Sequence, residues 1–439
     1  MIDQNAQAMI FPGKQINIRA LAIPRMLRDI CAMGILLISL VPDTSSRFVF
    51  MPLVVLWILF SFLASTKGFI KTFILPDIKS YSVYLWLLFY GIFYVTGYGT
   101  GLEDHLLNYT RFGFSILLFN YYLMANDYKA IRRLTFFSIG CIVFICITTL
   151  IALLTDPMVA RLLATGREEL TQGLAGRGIG SYGFIYGLVF VAIAVFGSLK
   201  SGLIRKRKII SGIFLALCVF VIFQASFMFA LLILTIALVL LLLNVKSHLK
   251  YIVASLILLG LFFVLSPVIQ NLLVFLSHTV DSDAMSMRFY ELALVMRDGS
   301  VEGTVNAAGR WRLYMVSLES FLSSPILGIG GHYGFGTSIF GIGGHSAFLD
   351  ELARYGILGS GFLFVALFSN AKFVYRSFKD SKQKMVYYCS MLAFFILGLI
   401  NTLLFVPLAI MAYFVVPGII STVSKHDTNM SNALKKAGE

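Results

Sequence analysis

The chain has 439 residues, of which 59% are hydrophobic and 13% charged, and a mean hydropathy of +0.87. Soluble domains carry roughly 25% charged residues, so this composition excludes a soluble globular fold and points to an all-α polytopic membrane protein. The net charge of +14 would otherwise be a cue for nucleic acid, but in a chain this apolar it reads as a topology signal.

No small-residue cleavage site follows the first apolar run, so the first membrane helix is expected to act as its own insertion signal. The apolar runs predict twelve spans, at 29–41, 48–65, 81–98, 112–125, 135–154, 181–199, 209–224, 225–243, 251–269, 356–369, 385–404 and 407–423. Several fall short of the ~20 residues a straight span needs, so their ends must extend into flanking polar residues. The two segments meeting at Gln224 have almost no turn between them and also read as one re-entrant hairpin. Residues 1–439 thus form a single integral membrane domain with two long polar excursions, at 155–180 and 270–355.

Basic residues set the orientation. Lys14, Arg19, Arg25 and Arg28 precede the first span, and Lys67, Lys71 and Lys79 lie between the second and third. Lys129, Arg132 and Arg133 follow, then Lys200, Arg205, Lys206, Arg207 and Lys208, then Lys246 and Lys250. A cluster at 372–384 and Lys425, Lys435 and Lys436 in the tail complete the series. With twelve spans these clusters all share one side, which places both termini and every lysine in the cytoplasm. The outward basic residues are all arginines: Arg47, Arg111, Arg161, Arg167, Arg177, Arg288, Arg297, Arg310, Arg312 and Arg354. Arginine presents a planar fork that grips phosphate or carboxylate at two points and stays charged. Some of these arginines can pair with loop acids such as Glu168, Glu169, Asp281 and Asp298. As a set without lysine, they favour anion binding.

The second excursion has internal order. Residues 287–298 show helical apolar spacing, and 310–323 (RWRLYMVSLESFLS) reads as an amphipathic helix that stops at Ser324-Pro325. Its apolar face, with Trp311, Tyr314, Met315, Leu318, Phe321 and Leu322, suits a position along the bilayer interface. The pentapeptide GIGGH then occurs twice, ending at His332 and His345. Such glycine density either lets backbone approach a bulky ligand and offer amide donors to an anion, or makes two tight turns at the membrane surface. After His345 a helical segment, 346–355, leads into the next span. On it Asp350, Glu351 and Arg354 have the spacing of a structural ion pair.

Cys31, Cys141, Cys146, Cys218 and Cys389 all fall inside predicted spans, so none is placed for an outer disulfide. No Cys/His/acid group has metal-ligand spacing, and no GxxxxGK[ST], GxSxG or HExxH pattern occurs. Neither a metal nor another cofactor is expected.

His345-Ser346, nine residues, Gly356, two residues and Gly359 resemble the signature of the O-antigen ligase and polymerase superfamily. Arg310-x-x-x-Tyr314 and Pro325-Ile326-Leu327-Gly328-Ile329-Gly330 are similar to the Arg-x-x-x-aromatic and Pro-x-x-Gly-x-Gly elements that precede this histidine in the family. About twelve spans with the longest outer loop late in the chain fit the same plan. The resemblance implies a GT-C type glycosyltransferase of the bacterial inner membrane, active on its periplasmic face without metal or nucleotide sugar. Its donor would be an undecaprenyl-diphosphate-linked oligosaccharide. Membrane lipids and a chain-length regulator would be the other partners, with no nucleic acid.

In that setting His345 is the expected general base or acceptor-orienting group, and Arg310 the grip on the leaving diphosphate. Arg177 or Arg167 would close the site, and Arg288, Arg312 and His332 are further candidates for substrate contact. The ligases' Ser-Arg-Gly has no counterpart here, where the nearest position reads Gln224-Ala225-Ser226-Phe227. Arg167 and Arg288 each stand in an Arg-x10-Gly pattern, with Gly178 and Gly299, that resembles one described for the polymerases. The balance leans to a polymerase, with a ligase that transfers the glycan to lipid A–core as the alternative. Secondary transporters share the twelve-span plan, but they mark their paths with charges inside the spans, and these spans carry few.

Overall fold

The structure, a computed structural model, describes residues 18–41, 47–74, 78–96, 103–156, 159–160, 163, 178–200, 205–225, 227–243, 248–280, scattered positions between 286 and 296, 307–330 and 341–422. Every regular element among the described residues is helical. In chain order these are α1 (Ile18–Leu40), α2 (Arg47–Ala64) and the single turn α3 (Thr66–Phe69), which continues into a π-helical turn (Ile70–Ile74). Then follow α4 (Ile78–Val95), α5 (Glu103–Met124), α6 (Tyr128–Thr155), α7 (Tyr182–Leu199), α8 (Arg205–Gln224), α9 (Met228–Leu242) and α10 (His248–Thr279). The last four are α11 (Ala307–Ser323), α12 (Ala347–Ser377), α13 (Ser381–Ile400) and α14 (Val406–Ile410), the last running through a second π turn (Met411–Val415) to residue 422.

All twelve predicted apolar segments lie on these helices. Five helices among the described residues are long and apolar enough to cross a membrane: α4, α6, α7, α12 and α13. Val49–Ala64, Lys208–Gln224, Phe229–Leu242, Val264–Thr279 and Val406–Thr422 are shorter apolar helices. The segments meeting at Gln224 are two helices, α8 and α9, each packed against α7.

The centre of the bundle is α7. Its sequence, YGFIYGLVFVAIAVFGSL, has no charged residue, and a helix apolar all round belongs in a core. It is buried without interruption from Gly183 to Val195, between α8, α9, α13 and α14. α14 and its π turn are buried in the same way. A buried charge cluster ties α1 to the α5–α6 connection. Arg28 donates to Asp29 Oδ1 (2.9 and 2.6 Å) and to Asp127 Oδ2 (2.6 Å), and Arg133 also pairs with Asp29. Asp127 is in addition the N-cap of α6, accepting from Ala130 N–H at 3.1 Å.

Two features position the site. α11 packs on α12 through Ser317 and Ser320, both buried, while Trp311 and Leu322 on its apolar side stay 65% and 64% exposed. The helix predicted for 310–323 thus buries its two serines, half-buries Tyr314, Met315, Leu318 and Phe321, and leaves Trp311 and Leu322 of its apolar face outward. The second feature is a break in α12 at Gly356, where φ is 60° and ψ −167°. The break divides a first helical segment, 347–355, from the apolar segment that follows, at the position the sequence predicts.

Candidate functional site

The break in α12 is held open by a neighbouring stretch of chain. Residues 325–330 lie alongside it with four backbone hydrogen bonds: Ile329 N–H to Ala353 O (2.9 Å), Gly330 N–H to Arg354 O (3.0 Å), Ile357 N–H to Pro325 O (2.8 Å) and Leu358 N–H to Ile326 O (3.2 Å). The backbones approach too closely for side chains. A Cβ on Gly356 would sit 2.3 Å from the Ile326 carbonyl, and one on Gly328 would sit 2.3 Å from Arg354 O. Both glycines also have positive φ, a region where other residues are strained. The Pro-x-x-Gly-x-Gly stretch and the Gly356 end of the histidine motif are thus two sides of one interlock. Gly359, one turn further on, lets α12 close on Phe89 of α4.

The loop carrying His345 is stitched down from two sides. Ser320 Oγ donates to Gly341 O (2.6 Å) and accepts from Gly341 N–H (2.8 Å). Ser317 Oγ accepts from Gly343 N–H (2.9 Å) and donates to Asp350 Oδ1 (2.6 Å). Asp350 then accepts from the backbone N–H groups on either side of the histidine, Gly344 at 3.2 Å and Ser346 at 3.1 Å. Ser346 caps α12 by accepting from Leu349 N–H, and Ala347 N–H bonds Asn401 O at the end of α13. The expected ion pair forms between Glu351 and Arg354 at 3.4 Å. Asp350 does not join it; its carboxylate is taken up by the loop.

His345 is half-buried, and its Nδ1 lies 3.1 Å from Gly343 O. A carbonyl oxygen only accepts, so Nδ1 carries the hydrogen and, in the neutral ring, Nε2 holds the lone pair. The ring faces a cavity of about 520 Å³. α1 contributes Ile38 and Ser39, with Val41 just beyond its end, α5 contributes Asn108, Tyr109 and Arg111, and α12 contributes Asp350, Glu351 and Arg354. The run Thr402-Leu403-Leu404-Phe405-Val406-Pro407 leading into α14 also lines it. The lining thus combines two arginines, two acids and a tyrosine with a largely apolar run, which suits an amphiphilic ligand with a polar head. Arg111 is fixed by donating to Ile38 O (3.2 Å), with its guanidinium 4.9 Å from the centre of the Phe50 ring. Arg354 Nη1 donates to Tyr109 Oη at 2.7 Å, and Tyr109 Oη donates to Glu351 Oε1 at 2.5 Å.

Of the candidates named from sequence, His345 lines this cavity, and Gly356 and Gly359 shape the helix beside it. Arg312 is exposed on α11 and is not among the cavity-lining residues. Arg310 stands on the first turn of α11, and its side chain lies outside the described residues. Arg167, Arg177, Arg288 and His332 also lie outside them. The structure adds Tyr109, Arg111 and Arg354 to the cavity that His345 lines. Both arginines belong to the outward set, whereas Tyr109 and Glu351 are 242 positions apart and share no sequence pattern. No group of three or more His, Cys, Asp or Glu among the described residues could hold a metal ion. A scan against known protein families and a search of curated proteins find no match for this chain.

Proposed function

We propose that the chain is an O-antigen polymerase, a metal-independent glycosyltransferase that joins undecaprenyl-diphosphate-linked repeat units at the periplasmic face of the inner membrane. In this reading it crosses the membrane twelve times with both termini in the cytoplasm, and the cavity at His345 opens on the outer side. The observation that carries it is one histidine, fixed in the Nδ1–H tautomer, sharing a half-apolar cavity with Arg111 and Arg354.

In the reaction the acceptor hydroxyl oxygen attacks the anomeric carbon of the donor glycan. The bond from that carbon to the diphosphate oxygen breaks, and its electron pair leaves with the diphosphate. The hydroxyl proton passes to His345 Nε2. Fixed guanidinium charge stabilises the leaving group. Arg111 and Arg354 supply it from the cavity, with Arg310, Arg167, Arg177, Arg288 and Arg312 as further contributors and His332 as a further substrate contact.

The test is deletion of the gene and complementation with wild type or His345→Ala, read as lipopolysaccharide on a gel. Deletion should leave core carrying a single repeat unit, and His345→Ala should fail to restore long chains. Core carrying no repeat unit would instead identify the ligase that transfers glycan to lipid A–core. Unchanged long chains in both strains would overturn the glycosyl-transfer reading altogether.

A further inference from the structure

The carboxyl group of Glu351 is used on one side only. Oε1 accepts from Tyr109 Oη at 2.5 Å and from Arg354 Nη1 at 3.4 Å. Oε2 is buried and has no hydrogen-bond partner among the described residues. An ion pair present for stability alone favours the two-pronged arrangement in which both carboxylate oxygens are engaged. Leaving one buried charged oxygen bare costs more than a typical hydrogen bond returns. Tyr109 cannot turn to it, because its hydroxyl already donates to Oε1 and accepts from Arg354. A buried polar atom left in this state calls for a donor from elsewhere, and Glu351 lines the same cavity as His345.

Burial pushes the Glu351 carboxyl up to about 7, so above that pH it is a carboxylate, whose oxygens only accept and whose complement is a donor group. Arg354 already sits against this carboxylate and Arg111 shares the cavity, so a second cation is disfavoured there and a neutral hydroxyl is favoured. We propose that Glu351 is a specificity-determining residue whose Oε2 accepts a hydrogen bond from a hydroxyl of the sugar held beside His345. The proposal rests on the glycosyl-transfer reading and names the part of the substrate that this end of the cavity reads. A sugar lacking that hydroxyl leaves the oxygen bare, and sites of this kind reject such analogues strongly.

The experiment uses the purified full-length protein in detergent at about pH 8.5, where Glu351 is ionised, with binding followed by intrinsic tryptophan fluorescence. One probe is undecaprenyl diphosphate. The others are the same lipid carrying a single glucose, galactose, N-acetylglucosamine or N-acetylgalactosamine, together with their monodeoxy forms. At least one sugar should tighten binding over the bare lipid, and one monodeoxy form should lose that gain. Glu351→Gln should lose the same gain, measured against the variant's own binding of the bare lipid, by about tenfold or more for a hydrogen bond to a charged group. Loss of both probes alike, or retention of the sugar gain by Glu351→Gln, would overturn the proposal and leave the glycosyl-transfer reading standing. If the variant does not fold, the monodeoxy series on the wild type decides alone: no single hydroxyl that matters means no such contact. A wild type that binds neither lipid would bring down the glycosyl-transfer reading, and this proposal with it.

Discussion

In the proposed reaction, proton transfer from an acceptor hydroxyl demands that an imidazole be held to within a fraction of an ångström, and the backbone of His345 is gripped on both sides. Asp350 accepts from the N–H groups before and after it, and Ser317 bridges Asp350 to Gly343. Asp350→Asn keeps the volume but replaces an acceptor-only group with one that presents a donor to at least one N–H. Expected is a fall in kcat of about a hundredfold, the cost of misplacing a reacting group by about 1 Å, with KM for the lipid-linked donor unchanged. Ser317→Ala should fall less, because Asp350 still holds Gly344 and Ser346. Steady-state kinetics beside thermal unfolding checks both, and a parallel loss of Tm and activity would reduce Asp350 to a structural residue. At this scale His345 and Gly356 were legible because a histidine after a glycine run, and a glycine ending a helical segment, are local patterns. Asp350 was legible only as a charge at ion-pair spacing. Its hydrogen-bond partners are two backbone amides of its own loop and the Ser317 hydroxyl of another helix, which spacing rules for side chains on one helix do not address.

Helices were the most legible elements, since each apolar run had to become one to satisfy its backbone in a membrane. What tied one helix to another was hidden, as with the cluster of Arg28, Asp29, Asp127 and Arg133. In the sequence Arg28 and Arg133 were topology markers, and nothing singled out Asp127. Burial works against ionisation of Asp127, but the hydrogen bond and charge of Arg28, the Ala130 N–H and the charge of Arg133 hold its carboxyl below the usual carboxylate range. A carboxyl with a lowered folded pKa contributes stability that is complete above its unfolded pKa of roughly 4 and is lost as pH falls through the folded value. Asp127→Asn keeps an N-capping side chain while removing the charge. At pH 6 the variant should therefore unfold at a lower temperature than the wild type. The gap should narrow once pH falls below about 4. Thermal unfolding in detergent across that range checks the sign, and a gap that widened in acid would contradict the assignment.

Across the whole molecule, charge and shape divide along different lines. The central helices α7 and α14 are buried in protein and so need no outward signal. Other apolar surface remains exposed, as at Val55, Leu88, Ile151 and Val264, consistent with contact to lipid. Five helices meet the length and apolarity of a crossing outright, and the shorter ones depend on flanking polar residues to reach both interfaces. The proposed side of each loop rests on basic residues alone, in a pattern where lysine and arginine part company. Two described and accessible positions carry the contrast: Arg312 at the exposed surface of α11 and Lys382 in the first turn of α13. The native cysteines Cys31, Cys141, Cys146, Cys218 and Cys389 are all buried, so a single introduced thiol reports on its own position. Arg312→Cys should react with a membrane-impermeant maleimide in intact spheroplasts, whereas Lys382→Cys should react only after the membrane is opened. Such labelling tests the orientation without reference to catalysis. The reverse pattern would put His345 on the cytoplasmic side, where a polymerase drawing on outward-facing lipid-linked glycan could not use it. Labelling of both positions from the same side would leave the lysine–arginine division intact as sequence but remove its meaning as topology.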